Sequence, residues 1–92
     1  MARRFRNCIG PQVRAQRTAK GLTQEQLSAR LQLAGLLSLD RVAIAKLEMQ
    51  IRSVKDYEIV MIAAELGVEP GMLLPPVRKL KSDLDDLIAG ER

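Results

Sequence analysis

Few side chains in this sequence are suited to covalent chemistry. The 92 residues include no His and a single Cys, Cys8, so neither the usual general base nor a zinc cluster can be assembled. The carboxylates show no pair that is expected to converge on one site. We therefore expect a protein that is not an enzyme and that holds neither a metal ion nor another cofactor.

Basic side chains are the remaining group with a chemical use, and they are unevenly distributed. The formal net charge is +4, but residues 1–30 hold seven Arg and Lys against one Glu, whereas residues 56–92 hold four against eight acidic residues. A basic half on a small domain is typical of proteins that bind the phosphate backbone of nucleic acid. A basic surface that is merely solvated gives the same pattern, so charge alone leaves both interpretations open.

The composition indicates which elements must position these charges. Hydrophobic residues make up 47% of the chain, which is enough for one small core. Because Trp is absent and Phe5 and Tyr57 are the single Phe and Tyr, the core must consist of aliphatic residues, which favours helices packed on helices. Cys8 has no partner for an internal disulfide, and no apolar run is long enough to span a bilayer. We expect a cytoplasmic, all-α protein without membrane contact.

The N-terminal segment is predicted to be a basic arm followed by a helix. Residues 1–9 have no helical period, and we expect this arm to be mobile until an anionic partner orders it. Pro11 suits a first helical position, and Gly21 suits a position just after a helix end. The first helix is therefore expected over about 11–20.

Capping residues predict the next two helices. Thr23 is a good N-cap, and Gln26 three residues later completes a capping box for a helix over about 24–34. Asp40 is the expected cap of a third helix that contains the segment RVAIAKLE and extends to about Gln50.

A fourth helix is predicted before Gly67, and the chain beyond it is expected to form two further helical segments. The buried arc of the fourth helix is assigned to Tyr57, Val60, Met61 and Ala64, with Ile59, Ile62 and Ala63 beside them. Pro70 and Pro75 bound one short helical turn. Residues 75–92 carry Leu at helical spacing on a charged background, which predicts one amphipathic helix whose apolar stripe needs a partner surface.

Two short helices joined by a turn, the first opening with Thr and Gln, suggest a helix-turn-helix, whose second helix enters the major groove. The segments VRAQRTAKGLTQEQLSARL, IAKLE and YEIVMIAAELGVEPGMLL resemble the Cro/C1 (XRE) family of helix-turn-helix DNA-binding transcriptional regulators. The resemblance covers residues 10–74. It implies a compact five-helix, lambda-repressor-like domain over this range, with the C-terminal helix over 75–92 added to it, and double-stranded DNA as the partner.

The resemblance also assigns the two faces of the third helix. Ile44, Leu47 and Ile51 match core positions of the family. The outward stripe then consists of Arg41, Val42, Ala45, Lys46 and Met49. Within the stripe, Arg41 is expected to read guanine, and Lys46 to reach guanine or phosphate. Val42 and Ala45 are expected to lie against thymine methyl groups.

Phosphate contacts and one structural ion pair follow from the same resemblance. The expected phosphate-contacting residues are Gln24, Arg14, Met49, Arg52, Arg3, Arg4 and Arg6. For Gln24 there is independent support, since the free N–H groups at a helix start form an anion site. An ordinary solvated role is the alternative for Gln24, Arg14 and the arm. Arg17 and Glu48 match a pair that ties the first helix to the end of the third.

The chain departs from the family pattern at two places. Many members carry polar residues where this chain has Val42, Ala43 and Ala45, and a Gly where it has Gln50, which implies weaker or less selective base recognition. The usual tight turn between the second and third helices is replaced by QLAGLLSL, similar to a subgroup with a lengthened turn. The angle between these two helices therefore stays open.

One domain of this size touches few base pairs, so useful specificity requires a two-fold dimer. The expected surface of the homodimer consists of Leu73, Leu74, Leu80, Leu84, Leu87 and Ile88. The alternative is that the last helix folds back onto its own domain. We expect a repressor or autoregulator. The competing hypothesis is an interaction module whose stripe of Val42, Ala45 and Met49 contacts a protein, but Arg41 and Lys46 in the same stripe favour DNA.

Overall fold

The computed structural model describes residues 3–91, and within this range it consists of helices and connecting segments without a strand. In chain order the elements are α1 (Gly10–Ala19), α2 (Gln24–Leu33), α3 (Arg41–Glu48), α4 (Asp56–Leu66), a 3-10 turn (Pro70–Leu73), α5 (Val77–Ser82) and α6 (Leu84–Gly90). The predicted all-α class is confirmed. No single helix of the described residues is long and apolar enough to cross a membrane.

The starts of α2 and α3 follow from side-chain caps. Thr23 Oγ1 accepts a hydrogen bond from the Gln26 amide at 3.0 Å, and Gln26 Oε1 accepts one from the Thr23 amide at 2.9 Å. This is the predicted capping box. Asp40 Oδ1 accepts from the Ala43 amide at 2.8 Å and begins α3, and Gly67, with φ +69°, ends α4. The first amides and the last carbonyls of a helix have no partner within the helix. Local capping residues therefore determine where α2 and α3 begin and where α4 ends.

The core lies between α1, α2, α4 and the inner face of α3. It is formed by Ile9, Val13, Leu27, Leu31, Leu39, Ala43, Ile44, Leu47, Ile62, Ala63, Leu66 and Leu73. Ile44 and Leu47 are fully buried, as predicted, but Ile51 is 54% exposed. The helical period does not reach Ile51, because α3 ends at Glu48 and the chain turns at Gln50, which has φ +64°.

The predicted buried arc of α4 is wrong for Tyr57, Val60 and Ala64, whereas Ile62 and Ala63 are buried as predicted and Ile59 and Met61 pack partly buried against the core. Tyr57 and Val60 are more than half exposed, and Ala64 is also exposed. The side that faces the core carries Glu58, Ile62, Ala63 and Leu66. Most positions of this helix are apolar, so periodicity does not single out one face. The buried side also carries the charged Glu58, and a charged residue normally indicates the exposed side of a helix.

Residues 3–9 of the N-terminal arm are docked, which corrects the expectation of a mobile segment; residues 1 and 2 of the arm lie outside the described residues. The Phe5 amide donates to the carbonyl of Asp86 at 3.0 Å, and the Arg6 amide donates to the carbonyl of Gln50 at 2.7 Å. Further along the arm, Ile9 is a core residue that is 1% exposed. The arm therefore has backbone and core contacts of its own that do not depend on an anionic partner.

The C-terminal segment forms two short helices, where the sequence predicted one. They meet at Asp83, whose φ of −100° and ψ of 2° break the helix. Leu73 is fully buried in the core and is therefore not available to a dimer surface. The other five residues assigned to that surface, Leu74, Leu80, Leu84, Leu87 and Ile88, are exposed or partly exposed. The segment folds back onto the arm of its own chain, while part of its apolar stripe stays at the surface.

Candidate nucleic-acid interface

The outer face of α3 presents the predicted stripe as one continuous surface. Arg41, Val42, Lys46 and Met49 are exposed and Ala45 is half-buried, because residues three and four apart share one side of a helix. Val42 is 50% and Met49 is 59% exposed, although both are apolar. The helix therefore offers two cations and three apolar side chains to a partner.

The lengthened turn holds α3 against α2 without a tight helix-turn-helix bend. Gly35 has φ +106° and takes the chain away from the end of α2. Leu39 then lies fully buried in the core, directly before the capping residue Asp40. The start of α3 is thus anchored by one core side chain and one capping carboxylate.

A hydrogen-bonded network anchors the other end of α3. Arg17 donates from Nε to Glu48 Oε2 at 2.6 Å and from Nη2 to Glu48 Oε1 at 2.9 Å, and its Nη1 donates to the carbonyl of Leu22 at 2.8 Å. The hydrogen bonds to Glu48 raise the pKa of the Arg17 guanidinium above its ordinary value, against the effect of burial. The network joins α1, α3 and the segment before α2.

Gln24 belongs to this network as well as to the start of α2. Its Nε2 donates to Glu48 Oε1 at 3.0 Å, and its side chain is half-buried. The same side chain lines a shallow cleft of about 280 Å³ with Arg14, Ala45 and Met49. Arg41 lines a neighbouring cleft that also includes Thr23 and Gln24. The predicted phosphate-contacting residues Gln24, Arg14 and Met49 therefore lie together on one flank of α3.

A larger cleft of about 510 Å³ lies on the other flank of α3. It is lined by Arg6, Ser38, Asp40, Val42, Ala43, Lys46, Ile51, Arg52 and Ser53. Arg52 is partly engaged, because its Nη1 and Nη2 each lie 3.3 Å from a carboxylate oxygen of Glu58. The cleft brings three cationic side chains, Arg6, Lys46 and Arg52, to the side of the helix that carries Val42.

The remaining basic residues of the arm lie elsewhere. Arg3 and Arg4 are exposed, and the Arg3 amide donates to Asp86 Oδ1 at 2.9 Å. The Arg3 guanidinium lies 6.0 Å from the centroid of the Phe5 ring. Arg3 is therefore placed beside α6, whereas Arg6 lines the cleft beside α3.

Asn7 is a structural residue of this region that the sequence analysis missed. Its Nδ2 donates to the carbonyls of Leu47 and Arg52, at 3.0 and 2.8 Å. Its Oδ1 accepts from the amides of Ile9 and Gly10, at 3.1 and 2.8 Å. Asn7 thus joins the start of α1 to the end of α3. An Asn two or three residues before a helix is typical of an Asx turn, and that signal was available in the sequence.

Two further residues support the turn after α3. Gln50 adopts φ +64°, which explains why Gly suits this position in the family, and its Nε2 donates to the carbonyl of Asn7 at 3.0 Å. Glu58 is 2% exposed. Burial raises the pKa of its carboxyl, but the hydrogen bonds from Arg52 and from the Lys55 amide outweigh burial and leave the pKa below its usual value.

Comparison with known proteins identifies the family. Neither the family models nor the curated proteins compared with this chain match it. Among solved structures, the restriction-modification controller protein C.AhdI from Aeromonas hydrophila is 35% identical, over 72% of this chain and 87% of its own, with a TM-score of 0.62. The hypothetical transcription factor NHTF from Neisseria is 30% identical, over 85% of this chain and 84% of its own, with a TM-score of 0.64.

These similarities extend over most of each chain. They confirm the resemblance found in the sequence, and they indicate a regulator and not an enzyme. The chain belongs to the Cro/C1-type family of helix-turn-helix transcription regulators.

Proposed function

We propose that this protein is a sequence-specific DNA-binding regulator that reads the major groove of double-stranded DNA with the outer face of α3. The observation that carries the proposal is the continuous exposed stripe on a helix whose two ends are fixed, by Leu39 and Asp40 at its start and by Arg17 at its end. A helix held in this way presents its side chains in one geometry, which base recognition requires.

Four residues of the stripe have a base-contacting role in this proposal. Arg41 and Lys46 donate to guanine O6 and N7, and the apolar Val42 and Ala45 pack against thymine methyl groups. The outer face of α3 has few polar groups that could read adenine. We therefore expect an operator that is recognised at a small number of positions in each half-site.

The two flanks of α3 supply the phosphate contacts. Arg14 and Gln24 lie on one flank, and Arg6 and Arg52 lie on the other. Because the two sugar-phosphate strands form the walls of the major groove, a helix in the groove requires cations and N–H groups on both of its sides. Because Arg52 also forms an ion pair with Glu58, we expect it to contribute less to phosphate binding than a solvated arginine.

We further propose that the protein acts as a homodimeric repressor or autoregulator that works by occupying its operator. Three apolar residues of the proposed dimer surface, Leu74, Leu84 and Ile88, are 44–46% exposed and suit a two-fold contact. The similarity to C.AhdI, a restriction-modification controller protein, supports a regulatory role.

A protein-interaction module is the second candidate function. The observation in its favour is that Val42 and Met49 expose about half of their apolar surface on the same face of α3, and exposed apolar side chains mark partner sites. The two cations in the same stripe favour DNA, because an apolar protein interface would leave them without partners.

Selection from a random duplex pool with the purified protein tests the proposal. We expect enrichment of a pseudo-palindromic sequence whose half-sites are centred about 34 Å apart, or one helical turn. Binding without any enriched sequence would contradict a base-reading role for α3, and the absence of binding at low salt would favour the protein-interaction candidate.

A further inference from the structure

The arm connects α6 to the turn after α3. The Phe5 amide donates to the Asp86 carbonyl and the Arg3 amide to the Asp86 carboxylate, so both residues are held on α6. The next amide along the chain, that of Arg6, donates to the carbonyl of Gln50, two residues after the end of α3. Consecutive residues of the arm therefore bridge two elements that are more than thirty residues apart in sequence.

Gly90 makes the docked position of the arm possible. A Cβ atom at this position would lie 1.9 Å from the carbonyl oxygen and 2.6 Å from the carbonyl carbon of Phe5. The contacted atoms belong to the backbone, so a side chain at position 90 cannot be accommodated unless the arm or α6 moves. Gly90 is buried by this contact.

The docked arm directs the position of the Arg6 side chain. Arg6 is exposed and lines the cleft beside α3, together with Val42 and Lys46. Within residues 3–91, neither Arg6 nor Lys46 takes part in an ion pair. The acid among the lining residues, Asp40, caps α3 through the Ala43 amide and forms no ion pair with either cation. The cleft therefore contains two cations without an ion-pair partner among the described residues.

We propose that α6, through the docked arm, positions Arg6 to bind a phosphodiester group of duplex DNA at the flank of α3. This inference rests on the proposed function, because it requires α3 to lie in the major groove. Arg6 touches the DNA, whereas Asp86 and Gly90 are positioning residues that act through the backbone of Phe5 and Arg6. A C-terminal helix that lies outside the helix-turn-helix thus controls one of its phosphate contacts.

The salt dependence of binding tests the role of Arg6. The affinity for the selected duplex and for a random duplex is measured across a salt series. We expect Arg6→Ala to reduce the slope of log K against log salt by about one on both duplexes, and Arg6→Lys, which keeps the charge, to leave it close to the parent value. An unchanged slope in Arg6→Ala overturns the proposal.

A double-mutant cycle tests the positioning by α6. In Gly90→Ala the arm is displaced, and the Arg6→Ala change is expected to have little further effect on the slope. Because Gly90→Ala is present in both members of that comparison, its effects on stability or dimerisation cancel. The same reduction of about one in both backgrounds overturns the positioning role. Gly71→Ala is the matched control, since a Cβ at position 71 meets no atom within 4 Å.

Amide hydrogen exchange measures the arm without DNA. The Phe5 and Arg6 amides are expected to be protected in the parent and in Gly71→Ala, and to lose protection in Gly90→Ala. If Gly90→Ala does not fold, Asp86→Ala, which removes the carboxylate that holds Arg3, replaces it in the cycle and in the exchange measurement. Equal protection of the Phe5 and Arg6 amides in the parent and in Gly90→Ala, or of the Arg3 and Arg6 amides in the parent and in Asp86→Ala, overturns the inference.

The outcomes separate this inference from the proposed function. A parent protein that binds no duplex at low salt overturns both. A parent that selects a sequence and is weakened by Arg41→Ala, but keeps its salt slope in Arg6→Ala, supports reading by α3 and overturns only the role of the arm.

Discussion

Arg17 and Glu48 lie 31 positions apart in the sequence and join α1 to the end of α3 through two parallel hydrogen bonds of 2.6 and 2.9 Å. Their side chains are 11% and 3% exposed. Glu48 also accepts from Gln24, so a single carboxylate fixes the helix that carries the DNA-reading stripe to two other elements. The position of α3 therefore depends on this pair more than on the helix-turn-helix bend, which is lengthened here.

Glu48→Ala is expected to lower the free energy of unfolding by about 3–5 kcal/mol, because it leaves the Arg17 guanidinium buried without its partner. Urea denaturation measures the loss. In the double variant Arg17→Met with Glu48→Leu, we expect a large part of the stability to return, since no buried charge remains. Lys79→Ala breaks the exposed pair with Asp83, and this control is expected to cost about 1 kcal/mol or less. Equal losses in Glu48→Ala and Lys79→Ala would contradict the structural role of the buried pair.

Glu58 makes the stability depend on pH. The folded-state pKa of Glu58 lies below the ordinary value, so the ionised carboxylate stabilises the folded protein. This contribution to the free energy of unfolding is fully present at pH above about 4.3, the pKa in the unfolded chain. It is lost as the pH falls through the folded-state pKa. We expect Glu58→Gln to be less stable than the parent at pH 7 and to lose less stability on acidification. Melting temperatures between pH 7 and pH 3 measure both effects, with Glu69→Gln on an exposed carboxylate as the control. Parallel pH curves for the parent and Glu58→Gln would contradict the account.

Gln50 occupies the left-handed region and also forms a hydrogen bond through its side chain. Gln50→Gly removes a conformational cost of about 1–2 kcal/mol and a hydrogen bond worth about 1 kcal/mol, so we expect its stability to lie within about 1 kcal/mol of the parent. Gln50→Val loses the hydrogen bond and adds a β-branched side chain at positive φ, so it is expected to be clearly less stable. Thermal unfolding compares the three proteins. A Val variant as stable as the Gly variant would disprove the conformational argument.

Leu84 tests the proposed dimer. It is 45% exposed on α6, and Leu84→Asp places a charge in the apolar stripe, so sedimentation equilibrium is expected to show a monomer where the parent is a dimer. Leu37→Asp is the matched control, because Leu37 is 74% exposed on the turn between α2 and α3. If the parent protein is already a monomer at micromolar concentration, the proposed homodimer is wrong.

Local signals in the sequence were sufficient for the starts of α2 and α3. Thr23 and Asp40 are capping residues whose partners lie three positions away, so their effect can be inferred without the fold. The two faces of α3 were predicted from the family resemblance, because residues 42–45 are all apolar and the spacing alone does not single out one face. Ile44 and Leu47 are buried and Arg41 and Lys46 are exposed, as the resemblance implied.

The sequence was not sufficient where burial depends on tertiary packing. Glu58 is buried and pairs with Arg52, on the side of α4 opposite to the one that was expected to face the core. The arm is docked because Gly90, eighty-five positions away from Phe5, leaves room for its backbone. The Arg52–Glu58 pair spans only six residues, but its spacing does not show that it is buried. The contact of Gly90 with Phe5 has no local signature, since two distant segments must already be folded against each other.

The affinity of the Arg41→Ala variant for the selected duplex and for a random duplex tests the central claim most directly. Arg78→Ala, which removes the same charge from α5, is the control. Our account predicts that Arg41→Ala weakens binding to the selected duplex by about 1–3 kcal/mol and to the random duplex by much less, while Arg78→Ala changes both little. Equal losses on the two duplexes, or a loss no larger than that of Arg78→Ala, would contradict base reading by α3.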